Sequence, residues 1–449
     1  SDVQLQEARI LNSLNLKKIF PYVQDEIILK DNKINLNYKK NLFSINGKGN
    51  IFIQKTYDQI SYEIKKDKNN LKFKKIIKIK DNPFFIKSLN YEKNINSDTV
   101  VKINGYKDDK SNIFFNSISL IEENNKIEIE NIKLDSKFKI INFDKINLDY
   151  LDKYNQRNTI KIKKNNNNFL LNGEYFNADS LIEDLLFGEN NSSYFSNSFD
   201  IDLNLKKVRL DEEFLLENLR GNLIFNNQKL FSGNLSGEFS DNKKMNFTVN
   251  TDGNTKTTTF FIEHARPIVK RYKFIKGFEE GILDFYSSKN GDISKSTLKI
   301  YDFKLKELPT LTKILTLASL QGIADILSGE GIRFNEFEMN FENKNNSINI
   351  DEVYAIGPAI SVLMNGYIEK NKLISLRGTL VPATTINKAI GSIPVLGKIL
   401  VGSKTGEGVF GVSFKIKGPP KKLETSVNPI KTLTPRFITR ALEKSKEPK

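Results

Sequence analysis

Apolar and polar residues alternate one for one through run after run of this chain, and that period of two limits what it can fold into. In IDLNLKKVRL (201–210), Ile201, Leu203 and Leu205 fall on one side and Asp202, Asn204 and Lys206 on the other. The pattern recurs in ISYEI (60–64), KIEIENIKL (126–134) and KINLDY (145–150), and it continues to about residue 251. Near the C-terminus, VFGVSFKIKG sets Phe410, Val412, Phe414 and Ile416 against Val409, Gly411, Ser413 and Lys415. The runs are short and broken by Asn, Gly and Asp clusters, which predicts antiparallel meanders with tight turns instead of parallel units with crossover helices. The expected fold class is mainly β.

At 449 residues the chain exceeds what one core ordinarily serves, so it is expected to hold several domains or an extended, quasi-repetitive body. The formal net charge of +15 raises nucleic acid as a partner. The distribution argues against it. Lysines are interleaved with isoleucine and asparagine, as in LKFKKIIKIK (71–80), where they fall on or near the polar side of a strand. A solvated strand face is the ordinary reading, and attraction to an anionic lipid surface is the functional one; nucleic acid is not expected as a partner.

Helical spacing is confined to a few segments. Residues 1–20 carry Val3, Leu5, Ile10, Leu11, Leu14, Leu16 and Ile19 ahead of Pro21, which predicts a short N-terminal helix or linker. Residues 21–175 form the degenerate strand region. Within 176–308, FNADSLIEDLLFGE inserts a helix over 178–187, with Asp179 or Ser180 as N-cap, a stripe of Leu181, Ile182, Leu185 and Leu186, and Gly188 as the stop. A short turn or helix is expected again within 257–288. Region 309–449 brings apolar helices at 309–327 and 383–401, the second broken at Pro394, and a terminal helix at about 435–445. Helices are thus expected to be few and clustered toward the C-terminus.

Catalysis finds little to work with. The single histidine, His264, lacks a second histidine or any cysteine to share a zinc ion, and a lone histidine is more often structural than catalytic. The glycine runs GEGI (329–332) and GEGVFG (406–411) lack a P-loop lysine and read as turns. No catalytic residue, metal or cofactor is expected, and the chain is not expected to be an enzyme. What remains is an apolar sheet face and two apolar helices. A closed core explains such a face, and so does an open groove that binds lipid.

The order of phrases after residue 298 adds to this reading. A strand ending in DFKL is followed by LPTLTKILTLASLQGIADILSGEGIRF, then YAIGPAISVLMNGYI, LRGTLVPATTINKAIGSIPVLGKILVG, GEGVFGVSFKIKGP and VNPIKTLTP. This succession, with LNGEYFNADSLIEDLLFG and EHARPIVKRYKFIKGFEEGILDFY upstream, resembles the C-terminal region of the AsmA-like superfamily, in particular its YhdP-type members from Gram-negative bacteria. The similarity covers about residues 170–440; residues 1–165 share only its style of strand.

The resemblance implies an elongated, twisted antiparallel sheet forming an open groove of the bridge-like lipid-transfer type. It implies phospholipids as cargo, the inner and outer membranes and envelope proteins as partners, and a place in the periplasm. Such proteins are usually tethered to the inner membrane by an N-terminal helix. The chain opens on Ser1 with no run of about 18 apolar residues, so it is expected to be a segment of a longer protein with its anchor outside it. On this reading Ile201, Leu203, Leu205, Leu223, Phe225, Phe410, Val412 and Phe414 line or close the groove. Leu315, Leu317, Leu320, Ile393, Pro394, Val395, Leu396, Ile399 and Leu400 meet a membrane or a partner, or plug one end. An alternative function is an envelope-assembly scaffold or chaperone that receives outer-membrane proteins by strand addition.

Overall fold

The computed structural model describes residues 1–12, 19–39, 42–67, 70–95, 97–135, 139–166, 168–187, 197–226, 229–272, 276–307, 312–314, 331–370, 372–382, 411–420 and 422–430. Two compact units divide the chain, Ser1–Asn242 and Lys243–Lys449. Both are mainly β.

Unit 1 begins with β1 (Asp2–Leu11), β2 (Glu26–Lys39), β3 (Leu42–Phe52), β4 (Tyr57–Lys66) and β5 (Asn70–Ile79). A miniature hairpin of β6 (Phe85–Ile86) and β7 (Tyr91–Glu92) follows, its strands joined by a 3-10 turn at Lys87–Leu89. The main sheet resumes with β8 (Thr99–Asp108), β9 (Ile113–Glu122), β10 (Asn125–Leu134), the short β11 (Ile140–Asn142), β12 (Lys145–Leu151), β13 (Arg157–Asn165) and β14 (Asn168–Asn177). After the helix α1 (Asp179–Phe187) come β15 (Phe199–Arg209), β16 (Leu215–Asn226) and β17 (Lys229–Phe239).

The meander expected for residues 26–175 is present, each strand antiparallel to the next, with β8 taking the place beside β5 that the miniature hairpin vacates. One pair departs from it. β14 and β15 run parallel, Phe169 opposite Ile201 and Leu171 opposite Leu203. A parallel pair needs a crossover, and α1 lies within that connection, which is why a helix interrupts the strands here.

Unit 2 is a meander of β18 (Lys244–Asp252), β19 (Thr255–Ile262), β20 (Lys276–Asn290), β21 (Ile293–Glu307), β22 (Ile332–Lys344), β23 (Ser347–Ile356), β24 (Ile360–Glu369), β25 (Leu373–Pro382), β26 (Gly411–Gly418) and β27 (Glu424–Ile430). Every pairing from β18 to β27 is antiparallel between sequence neighbours. The one-turn helix α2 (Arg266–Val269) sits between β19 and β20, with Pro267 in its first turn, as the short insertion expected there. The main sheet closes on itself in neither unit: among the described residues no ladder joins β1 to β17 or β18 to β27.

Two expectations are corrected. Residues 2–11 are a strand, not a helix, paired with β2 from Asp2↔Asn35 to Leu11↔Glu26. A ten-residue helix is marginal by itself, whereas β2 supplies a full ladder for the same backbone groups. The described helices do not cluster toward the C-terminus either: the 3-10 turn at Lys87–Leu89 and α1 belong to unit 1, α2 follows β19, and among the described residues only 312–314 are helical beyond them. Their places follow from the sheets, one spanning a crossover and the other filling a strand connection. The rest of 309–327, all of 383–401 and the terminal segment at about 435–445 lie outside the described residues.

The alternation also skips. Along several strands two successive inward residues stand three apart: Leu205 and Val208, Leu216 and Leu219, Phe278 and Gly281, Ile300 and Phe303, Ile350 and Val353. Where the ladder register also shifts, at Leu216–Leu219 and at Ile350–Val353, the skip is a β-bulge that keeps both halves of the strand facing the same way. At the other three the register runs on unbroken. Asn218, Glu280 and Asp302 carry the left-handed backbone at three of the skips, with φ of 52°, 60° and 49°. The bulges add local twist and bend to their strands.

Candidate functional site

Register sorts the inward side chains of unit 1 into rows that run across the strands. In the first row Ile77 opposes Val101, and the pairing continues through Leu120, Ile127, Leu148 and Ile160 to Leu205 and Leu219 across Gly173. From Leu120 onward its side chains are buried. Two residues along each strand lies a second row: Ile103, Ile118, Ile129, Ile146, Ile162, Leu171 and Leu203. Every one of these is half-buried. The row crosses β8, β9, β10, β12, β13, β14 and β15, about 30 Å at about 4.8 Å per strand.

A third row is aromatic. Phe73 meets Phe115 over Gly105 at 5.7 Å between ring centroids. Farther along, Phe143 stacks on Phe169 at 4.3 Å, Phe169 meets Phe199 edge-on at 6.0 Å, and Phe199 stacks on Phe225 at 4.7 Å. Ile132, Phe143 and Phe169 form the buried centre of this cluster, with Ile201 packed against it. The reverse side of the same strands is polar, and Lys74, Lys102, Lys161 and Lys163 are exposed there. Much of the net positive charge of this region is therefore a solvated strand face.

Beside the first row, one end of the strands carries a cap. Segment 80–98 supplies it, linked through aromatic contacts from Phe20 to Phe84 (5.2 Å), Phe84 to Tyr91 (6.2 Å) and Tyr91 to Tyr150 (5.8 Å). Its polar groups are matched one by one, as burial requires. Glu122 accepts from the Tyr91 hydroxyl (2.7 Å), the Ser97 hydroxyl (2.6 Å) and the Asn94 backbone N–H (2.8 Å). The buried Lys93 ammonium donates to the carbonyls of Lys80, Asn94 and Ser97 at 2.6–2.8 Å. Burial, then the Glu122 carboxylate, pushes the Tyr91 phenol up, so it stays a donor. Desolvation likewise raises Asp58, which accepts from Asn82 at 2.7 Å. α1 joins the cap through Ser180, which donates to Asn90 (2.5 Å), and Lys87, which pairs with Asp184 (2.7 Å). At its first turn the Asn177 Oδ1 accepts the Asp179 backbone N–H at 3.2 Å.

Unit 2 repeats the plan. Ile262, Leu283, Ile300, Ala355, Leu380 and Val412 form a buried row, joined across β22 and β24 by the half-buried Phe337 and Val362. The next row holds Phe247, Phe260, Phe285, Leu298, Met339 and Met364, all half-buried, with Val353 and Phe414 buried. Phe414 lies over Gly378, where a Cβ would come within 2.6 Å of the ring. The cap is smaller: Ala265 and Val269 are buried, and the Ala265 N–H donates to the Gly281 carbonyl at 2.8 Å.

The expected site residues fall as follows. Ile201, Leu203, Leu205, Leu223 and Phe225 share the apolar face of unit 1: Leu205 is buried under the capped row and the other four are half-buried. Val412 and Phe414 share the apolar face of unit 2, both buried, so they close that face more than they line it. Phe410 lies outside the described residues, as do Leu315, Leu317, Leu320, Ile393, Pro394, Val395, Leu396, Ile399 and Leu400. His264 is half-buried between β19 and α2. No group of acidic or histidine side chains among the described residues is arranged to hold a metal ion, and no described helix is long and apolar enough to cross a membrane. The periodicity alone did not reveal the cap, whose signal was the density of Asn, Phe and Pro in DNPFFIKSLNYEKN (81–94).

Among the described elements the recurring contacts run between ladder neighbours, with α1 against the 3-10 turn and α2 against β20. No family model matches the chain, and no curated protein matches it.

Proposed function

We propose that this chain is a non-enzymatic carrier of phospholipids in the envelope of a Gram-negative bacterium. Acyl chains slide along the apolar faces of its sheets between the inner and outer membranes, in the periplasm. The observation that carries this reading is the second row of unit 1, half-buried on each of the strands it crosses between β8 and β15. A row that served only as core would be sealed like the row beside it. The resemblance of residues 170–440 to AsmA-like proteins points the same way.

The energetics give such a face its use. A two-chain phospholipid crossing water exposes roughly 30 methylenes at about 0.8 kcal/mol each, a barrier of about 25 kcal/mol. On a continuous apolar row the chains exchange one apolar contact for another while the headgroup stays in water. Only the rate of lipid exchange changes, so no catalytic group is needed.

The test is transfer of a fluorescent phospholipid from donor to acceptor vesicles by the full chain, beside Leu203→Asp. The wild-type chain is expected to speed transfer and to retain phospholipid through purification. Leu203→Asp should slow transfer severalfold with unchanged circular dichroism. No transfer and no retained lipid would sink the proposal, and crosslinked nascent barrel proteins in place of lipid would favour the assembly-scaffold reading.

A further inference from the structure

One position breaks the second row of unit 1. β5 reads LKFKKIIKI, and register places Leu71, Phe73, Ile77 and Ile79 on the apolar face. Lys75 falls between them, and Ile76 takes the polar side opposite Lys102. A one-residue slip would send Lys75 to the solvent side but would turn its four apolar neighbours outward, so the register holds the lysine inside. Its row partners are Tyr62 on β4 and Ile103 on β8.

This cation has no counterion. No carboxylate lies within ion-pair distance of Lys75 among the described residues, and its ammonium stands 5.8 Å from the centre of the Phe73 ring. Although Lys75 is exposed, desolvation by the surrounding protein lowers its pKa. Tyr62, directly opposite, lies over Gly47, where a Cβ would come within 2.1 Å of the ring. The Tyr62 hydroxyl makes no hydrogen bond within the described residues, and desolvation raises its pKa as well. In unit 2 the corresponding half-buried row from Phe247 to Phe414 holds no charged residue.

We infer that Lys75 and Tyr62 form a headgroup station on the apolar face, which binds the phosphodiester of an anionic phospholipid while its acyl chains lie on the flanking isoleucines. The inference rests on the lipid-carrier reading and adds to it a preference among lipids. The lysine stem packs on the face while its ammonium reaches up toward headgroup level. There it donates a charge-assisted hydrogen bond to a phosphate oxygen, and the tyrosine hydroxyl donates a second. A headgroup that carries its own ammonium repels Lys75 and gains less. Lipids such as phosphatidylglycerol are thus favoured over phosphatidylethanolamine.

The full chain is incubated with vesicles of equal phosphatidylglycerol and phosphatidylethanolamine and re-isolated, and its bound lipids are quantified by headgroup. The wild-type chain is expected to hold phosphatidylglycerol in about tenfold excess, the scale of one charge-assisted hydrogen bond. Lys75→Met should lose the excess, its bound phosphatidylglycerol falling toward the level of phosphatidylethanolamine, while Lys75→Arg should keep it and Tyr62→Phe should fall between. Excess inorganic phosphate should leave the ratio unchanged. If Lys75→Met keeps the preference, or phosphate alone abolishes it, the station is overturned while the carrier reading stands. If no variant retains lipid, the carrier reading fails and takes the station with it.

Discussion

The first and second rows of unit 1 lie side by side on the same strands and have nearly the same composition, yet one is sealed and the other is half open. Ile127 and Ile129 show it within one strand, the first buried and the second half-buried two residues on. The first row lies nearer the capped end. There segment 80–98 closes the strands with matched polar groups and a run of aromatic rings. Stability is therefore concentrated at the capped end, leaving the neighbouring row available to a ligand.

Substitutions should separate the two roles. The largest loss is expected from Glu122→Ala, which strips the acceptor from Tyr91, Ser97 and the Asn94 N–H in a buried site. It should lower the stability of unit 1 by about 4 kcal/mol, read from the urea-unfolding midpoint. A smaller loss comes from truncating apolar side chains, and there the position decides. Leu216, fully buried at the capped end, should cost about 3 kcal/mol as Leu216→Ala, whereas the half-buried Leu203 should cost about 1 kcal/mol as Leu203→Ala. Lipid retention should reverse that order, falling with Leu203→Ala while the folded fraction of Leu216→Ala keeps it. Equal costs at both positions would mean that the second row is ordinary core.

The sequence made much of this fold legible through local signals. Period two located the strands and placed Ile201, Leu203, Leu205, Leu223 and Phe225 on a common face, and the stripe in 178–187 gave α1 to within a residue. What escaped depends on partners distant in sequence. β1 is a strand because β2 offers it a ladder, which no spacing within residues 1–20 discloses. The parallel pairing of β14 with β15 is fixed by the crossover. Glu122 looks like any carboxylate at a strand end until Tyr91 and Ser97 are brought to it. The skips were readable in principle, since ENI at 130–132 and ENL at 217–219 place an Asn where two apolar positions stand three apart. A strict period of two treats that spacing as noise, when it marks where a strand bends and keeps its face.

The central claim, that the half-open row receives acyl chains, is tested most directly by a photocrosslinking amino acid placed at Leu203 and, separately, at Asn204 in the full chain. The two are adjacent, with Leu203 on the second row and Asn204 exposed on the polar side. Irradiation with phospholipid vesicles should give lipid adducts at position 203 and essentially none at 204. No adduct at 203, or equal yields at both positions, would contradict the account.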